Sequence, residues 1–243
     1  MQAPVQKPPR VGSNSLRLSP FVAISILLFG TVIWGFWRTY FLPLISLRAD
    51  RSWLIHIHAA VFVGWMLLLL IQSFAVSFGK GQFHRRLGVF GMAYAVAVFL
   101  VGIVISVAVP VAGARAGNFS SEIAGLVAIY LISDMLVFAM LMVGAFRCRT
   151  RPAAHKRWVI CATVALTTAA VGRVLPGGSL SFYLAWLAPV FLLIVVDLVT
   201  LKRASTVSLA GLMILTFAFF KNGLIEQLAV ARELGLVVIS PWM

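Results

Sequence analysis

Long apolar runs separated by short polar loops constrain this chain more than any other feature of its sequence. Such runs recur between residues 20 and 224, and 62% of the 243 residues are hydrophobic. A run of about 18 apolar residues with few charges is long enough to cross the hydrocarbon core of a bilayer as a helix. A soluble core does not explain these runs. The sequence therefore predicts an all-α, polytopic transmembrane helix bundle.

Seven segments of this kind are predicted, each close to the length of about 20 residues that a membrane-spanning helix needs. They cover residues 20–41, 53–78, 87–111, 122–146, 156–175, 180–201 and 206–224. Together they define a transmembrane domain of residues 20–224.

Two flanking segments are predicted to lie outside this domain. Residues 1–19 are basic and rich in proline, a composition that cannot form a packed core, and they are expected to be a disordered cytoplasmic tail. Residues 225–243 mix charged side chains with apolar ones and are too polar to span a membrane. They are predicted to form an amphipathic or irregular surface segment on the outer side.

The distribution of basic residues predicts the orientation of the bundle. With a cytoplasmic N-terminus, thirteen lysines and arginines fall on the cytoplasmic side and five on the other. Cytoplasmic loops carry an excess of basic residues, so the N-terminus is predicted inside and the C-terminus outside, in a bacterial inner membrane. The net charge of +14 arises in these short loops and not on one continuous face. Lipid is therefore the expected partner and nucleic acid is not, while a redox partner or a second copy of the chain is left open.

Two of the four histidines open predicted spans at the cytoplasmic end. His84 begins a helical face that includes Gly88 and Gly91, and His155 begins a similar narrow face that includes Ala162. Two imidazoles at one depth beside narrow faces suit the axial ligation of a flat macrocycle, so a b-type haem iron held by His84 and His155 is predicted. Small residues also let helices pack closely without a cofactor, and a histidine in a basic run can lie among lipid headgroups.

The other two histidines, His56 and His58, lie at the outer end of the second span. About 20 helical residues separate the two levels by roughly 30 Å, so no single ion takes ligands from both pairs. Two residues apart on a helix, His56 and His58 point to nearly opposite sides. His58 shares a stripe with Trp65 and Gln72 and is expected to face the bundle, whereas His56 faces lipid, a loop or another helix. They are candidates for a second cofactor site or for a structural role.

Polar side chains inside the predicted spans are further candidates for function. A charge at the bilayer centre costs at least about 2.5 kcal/mol, so Asp134 should face the interior and be paired, hydrogen-bonded or protonated. Arg173 and Lys221 are the partners considered for it, and either a proton-carrying or a helix-locking role fits. Asp197 lies near the cytoplasmic end of its span and is predicted to form a structural salt bridge. Gln72 completes the set of intramembrane polar residues.

Motifs over most of the chain resemble those of a group of bacterial multi-pass membrane proteins with no established activity. The matching positions are Arg38-Thr39-Tyr40-Phe41, His56-x-His58-Ala-Ala, Trp65, Gln72, His84-Arg85-Arg86-Leu87-Gly88, Asp134, His155-Lys156-Arg157, Arg173 and Asp197. The resemblance implies seven helices and importance for these positions, and it implies no particular reaction. Lys221 stands where similar proteins are expected to have an arginine, which keeps a basic group but weakens any bidentate role.

Three functional interpretations follow. The first is a small electron-transfer membrane protein with one haem b on His84 and His155. The alternative is a cofactor-free proton-linked transporter, channel or membrane assembly factor, with a polar interior path of Asp134, His58, Gln72 and Arg173. A purely structural or sensory membrane protein is a third interpretation. The sequence contains no Gly-rich phosphate loop and no motif of a metalloprotease or serine hydrolase. Whether the protein is an enzyme is left open.

Overall fold

The computed structural model describes residues 19–48 and 51–243, and within these ranges the chain forms helices and connecting turns without any strand. The predicted disordered tail, except Ser19, lies outside the described residues. Pro20 occupies the first turn of the first helix, where its missing N–H is not needed for helical hydrogen bonding. The predicted all-α class is therefore confirmed for the described part of the chain.

Within the described residues, six helices are long and apolar enough to cross a membrane. They are Pro20–Ile45, which comprises α1 (Pro20–Phe36), a π-helical turn (Trp37–Phe41) and α2 (Leu42–Ile45), together with α3 (Trp53–Ser77), α4 (Gly81–Arg115), α5 (Ser121–Arg147), α8 (Leu180–Leu201) and α9 (Thr206–Glu226). These helices support an integral membrane protein. The count of seven spans and the cytoplasmic side of the N-terminus stay predictions.

The predicted fifth span forms two shorter helices. These are α6 (Pro152–Ala165) and α7 (Thr168–Val171), separated by a turn at Leu166 and Thr167. All eight residues from 160 to 167 are buried, and α1, α5, α8 and α9 pack around α6. The interrupted segment is therefore the centre of the bundle, and the other helices shield it from lipid.

Side chains of neighbouring helices and of α7 itself form hydrogen bonds with the polar groups at this interruption. Trp186 Nε1 of α8 donates to the carbonyl oxygen of Val164 at 2.8 Å, and Thr168 Oγ1 donates to the carbonyl oxygen of Ala165 at 3.0 Å. Trp65 Nε1 of α3 donates to Thr163 Oγ1 at 3.2 Å. Unpaired backbone groups in an apolar interior cost several kcal/mol, and these bonds remove that cost.

Local threonines explain why the chain leaves the helix here. The hydroxyl of Thr167 donates to the carbonyl oxygen of Val164 at 2.8 Å, and the hydroxyl of Thr163 donates to that of Val159 at 2.9 Å. Such side-chain bonds compete with the helical ladder for the same carbonyl groups. A run of three threonines within six residues therefore weakens the helix at the point where tryptophans can replace the lost bonds.

The predicted surface segment 225–243 contains α10 (Ala229–Ile239), which packs against α5. Glycines allow the close approach: a Cβ placed on Gly125 of α5 would lie 2.6 Å from the carbonyl carbon of Gly235. Ala231, Gly235 and Ile239, four residues apart, form the buried stripe of α10. Whether the segment lies on the outer side stays a prediction.

The hydrogen bond from Trp186 should contribute measurably to stability. Replacing Trp186 with Phe keeps an aromatic ring but removes the donor, and we expect the free energy of unfolding to fall by about 1 kcal/mol or more. Trp53 is exposed, so Trp53→Phe is the matched control and should leave the value nearly unchanged. Unfolding in detergent, followed by circular dichroism, measures both. Equal effects of the two substitutions would contradict this account of the interruption.

Candidate functional site

The four histidines lie at two opposite ends of the bundle. His84 and His155 are near the starts of α4 and α6, which follow the turns at residues 78–80 and 148–151. We call this the His84 end. His56 and His58 are in the first two turns of α3, at the other end, which we call the His56 end. The two pairs are therefore separate candidate sites.

The His84 imidazole is held by Gln72 of α3. His84 Nδ1 lies 2.7 Å from Gln72 Oε1, and Gln72 Nε2 donates to the backbone carbonyl oxygen of His84 at 3.4 Å. Because the amide nitrogen is used for donation to a carbonyl, the amide oxygen faces the ring as an acceptor. His84 Nδ1 therefore carries the proton, and the lone pair lies on Nε2.

The His155 imidazole has an equivalent environment formed by the backbone of α5. His155 Nδ1 lies 2.8 Å from the carbonyl oxygen of Ala145. A carbonyl oxygen only accepts, so this Nδ1 carries a proton, and in a neutral imidazole the lone pair then lies on Nε2. The structure thus brings the two predicted ligands to one end in the same tautomer.

The small residues that follow His84 do not face the helix of His155. A Cβ on Gly91 would lie 3.5 Å from the Leu68 side chain, and a Cβ on Gly88 would lie 4.0 Å from Gln72 Nε2, so both glycines face α3. These two glycines therefore belong to the contact between α3 and α4, where a Cβ would be in ordinary van der Waals contact. Haem binding beside His84 and His155 stays a prediction.

A buried ion pair lies beside His155. Nε and Nη2 of Arg157 on α6 both donate to the Asp197 carboxylate of α8, and the two side chains are 4% and 0% exposed. Ser208 Oγ and the backbone N–H of Ser205 donate to the same carboxylate at 2.6 Å and 3.2 Å. Arg157 also donates to the carbonyl oxygen of Ala153. The salt bridge predicted for Asp197 is present, and it joins α6, α8 and α9.

At the His56 end, His56 and His58 have different partners. His56 Nδ1 and the hydroxyl oxygen of Tyr40, in the π-helical turn after α1, are 3.0 Å apart. His58 packs against Phe62 with ring centroids 4.2 Å apart, and its Nδ1 is buried without a hydrogen-bond partner among the described residues. His56 thus contacts another helix, and His58 lies inside the bundle. The two do not converge on a common ligand position.

Arg173 also lies at the His56 end. Its guanidinium lies 4.2 Å from the centre of the Phe36 ring and donates to the carbonyl oxygen of Ala169 at 2.7 Å. Arg173 is close enough to His58 for an electrostatic interaction. It does not pair with Asp134, so only one of the two partners considered for that carboxylate remains.

Lys221 is the partner of Asp134. Lys221 Nζ lies 2.6 Å from Asp134 Oδ1 and 3.0 Å from Asn222 Oδ1, and the Lys221 and Asp134 side chains are 8% and 18% exposed. The pair joins α5 and α9. It compensates two charges that would each be costly alone in an apolar environment.

Comparisons of the chain with known protein families, with curated proteins and with solved structures find no match. Within the described residues, no three His, Cys, Asp or Glu side chains lie close enough together to hold a metal ion between them. Two imidazole nitrogen atoms at the His84 end are instead the candidate ligands, and they can coordinate a soft or borderline metal centre that receives its other ligands from a cofactor.

Breaking the Arg157–Asp197 pair should strongly destabilise the bundle. Arg157→Met leaves a buried carboxylate without its counter-ion, and we expect a loss of about 3–5 kcal/mol in the free energy of unfolding. The double variant with Asp197→Leu removes both charges and should recover most of that loss. Arg203 is exposed in the turn between α8 and α9, so Arg203→Met is the control.

Denaturant unfolding in detergent measures these four proteins. If Arg157→Met is no less stable than Arg203→Met, the ion pair does not hold the three helices together.

Proposed function

We propose that this protein binds one b-type haem at the His84 end, with His84 and His155 as axial ligands, and carries electrons in the membrane. The observation that carries the proposal is the hydrogen bonding of both Nδ1 atoms, to Gln72 and to Ala145. In the neutral form of each ring, this bond leaves the lone pair on Nε2. Histidines that ligate metals usually donate their other ring N–H to a carbonyl or carboxylate in this way.

The chemistry of the donor set fits a haem. His84 and His155 come from different helices at the same end of the bundle, and neutral imidazoles are ligands that haem iron accepts. The acceptors on Nδ1 fix the direction of each ring and raise the basicity of Nε2. When bound, a b-type haem supplies reversible one-electron chemistry.

Basic residues of this end would serve the anionic edge of the cofactor. Arg85 and Arg86 directly follow His84 and are exposed, and Lys80 precedes α4 by one residue. Guanidinium groups bind carboxylates through paired hydrogen bonds. These residues would hold the propionates and keep the cofactor at the membrane boundary, while the apolar helices exclude water from its other side.

The alternative of a proton-linked transporter has less support from the contacts. Asp134 is paired with Lys221, and Gln72 is engaged with His84. The interrupted segment at Leu166 resembles the broken helices of transporters, but the carbonyl oxygens of Val164 and Ala165 beside the break each accept a side-chain hydrogen bond. Carbonyl oxygens that already accept a hydrogen bond are weaker ligands for a transported ion than carbonyl oxygens without one.

An absorption spectrum tests the proposal. Protein expressed with added haem precursor and purified in mild detergent should show a Soret band and sharp reduced bands after dithionite. We expect His84→Ala and His155→Ala each to abolish the low-spin spectrum, because each removes one axial ligand. His56→Ala, at the opposite end, is the matched control and should keep it.

Two results would contradict the proposal. One is wild-type protein without a Soret band under these conditions. The other is an unchanged low-spin spectrum in either His84→Ala or His155→Ala, with a size-exclusion profile confirming that the variant is folded.

A further inference from the structure

We propose that Gln72 is a positioning residue for His84: it holds the imidazole in the Nδ1–H tautomer, presents Nε2 to the ligand site and lowers the reduction potential of a bound haem. The part of this inference that concerns the potential rests on the proposed function. The part that concerns the tautomer stands on the contacts of the protein alone. Hydropathy places Gln72 on the bundle-facing stripe of its helix, but the sequence pattern does not connect it to His84.

Both ends of the Gln72 amide contact the same residue. The oxygen accepts from the ring of His84 at 2.7 Å, and the nitrogen donates to the backbone of His84 at 3.4 Å. Rotating the amide by half a turn would place its oxygen against the His84 carbonyl oxygen and its N–H groups against Nδ1. Because that arrangement sets two acceptors against each other, the amide has one favourable orientation and the imidazole one tautomer.

The turn between α3 and α4 fixes Gln72 relative to His84. Gly79 has a positive φ of 72°, the backbone N–H of Gly79 donates to the carbonyl oxygen of Val76 at 3.1 Å, and that of Lys80 donates to the carbonyl oxygen of Ala75 at 2.8 Å. These two bonds and the left-handed glycine form a Schellman motif, which ends a helix in a defined geometry. α4 begins at the next residue, so this turn fixes the position of His84 along the bundle axis relative to Gln72.

Helix packing admits the Gln72 side chain to this position. A Cβ on Gly88 would lie 4.0 Å from Gln72 Nε2, in van der Waals contact. The amide therefore lies beside α4 one turn after His84, at a distance that a small side chain at this position would also allow. Gln72 itself is half-buried, which strengthens its hydrogen bonds relative to those of an exposed amide.

The acceptor on Nδ1 determines how strongly Nε2 donates to a metal. A neutral amide oxygen polarises the N–H moderately, and a carboxylate polarises it more, which stabilises the oxidised iron relative to the reduced iron. Gln72→Glu should therefore lower the midpoint potential, and Gln72→Met, which keeps the length of the side chain but offers only a weak acceptor, should raise it.

The first test needs no cofactor. Nitrogen-15 NMR of protein labelled on histidine, in detergent and without added haem, should show His84 as the Nδ1–H form in the wild type and a shift toward Nε2–H in Gln72→Met. Gln82 is exposed on the first turn of α4, so Gln82→Met is the control and should not alter His84. An Nε2–H form in the wild type, or no change in Gln72→Met, overturns the positioning role.

The second test uses the haem-loaded protein. Redox titration of Gln72→Glu should show a tenfold change in the ratio of ferric to ferrous haem affinity, which is a fall of about 59 mV for one electron. Gln82→Glu adds the same charge at the same end without contacting the ring, and it should shift the potential much less. Equal shifts in the two variants would mean that charge and not positioning sets the potential, and would overturn this part of the inference.

The two tests separate this inference from the proposed function. A wild-type protein that takes up no haem, but whose His84 tautomer depends on Gln72, refutes the proposed function and supports the positioning role. A protein that takes up haem on His84, but whose His84 tautomer and midpoint potential do not change in the Gln72 variants, supports the proposed function and refutes the positioning role.

Discussion

The ion pair between Arg157 and Asp197 fixes the end of the bundle on which the candidate site depends. It joins α6 to α8, and hydrogen bonds from Ser205 and Ser208 extend it to α9. Taking two charges out of water costs several kcal/mol per ion, which is repaid only where geometry and further hydrogen bonds are favourable. Both carboxylate oxygens have partners here. Because His155 lies within one turn of Arg157 on α6, the pair also fixes the height of its imidazole.

The buried segment formed by α6 and α7 connects this end to the rest of the bundle. Trp186 of α8 and Trp65 of α3 both bond to it near its interruption. Trp65 lies two turns before Gln72 on α3, so the helix that orients His84 is also bonded to the helix that carries His155. Together with the Arg157–Asp197 ion pair, these two bonds hold the helices that position the two imidazoles in a fixed arrangement. A site with ligands from α4 and α6 requires such a frame, because α3 and α5 pack more extensively on α4 than α6 does.

The sequence predicts the long helices and the salt bridge of Asp197. Helix hydropathy can be read from consecutive residues, and the energetic cost of a buried charge can be assigned to a single residue. The sequence does not predict the interruption at Thr167, because the apolar run is continuous there and part of the stabilisation comes from tryptophans of distant helices. The interruption is stabilised by Thr168 of α7 as well as by tryptophans of α3 and α8. The sequence also does not predict the packing of α10, which depends on contact between Gly125 and Gly235, far apart in the chain. The bond of Gln72 to His84 requires knowledge of the α3–α4 turn, which hydropathy does not contain.

The nitrogen couplings of the ferric iron test the central claim most directly. Protein labelled with nitrogen-15 histidine and loaded with haem can be measured by electron nuclear double resonance in detergent. The account predicts a low-spin ferric centre coupled to two histidine nitrogens, one lost in His84→Gly and one in His155→Gly. A high-spin centre with a single histidine nitrogen, or couplings that persist in both variants, would contradict ligation by this pair.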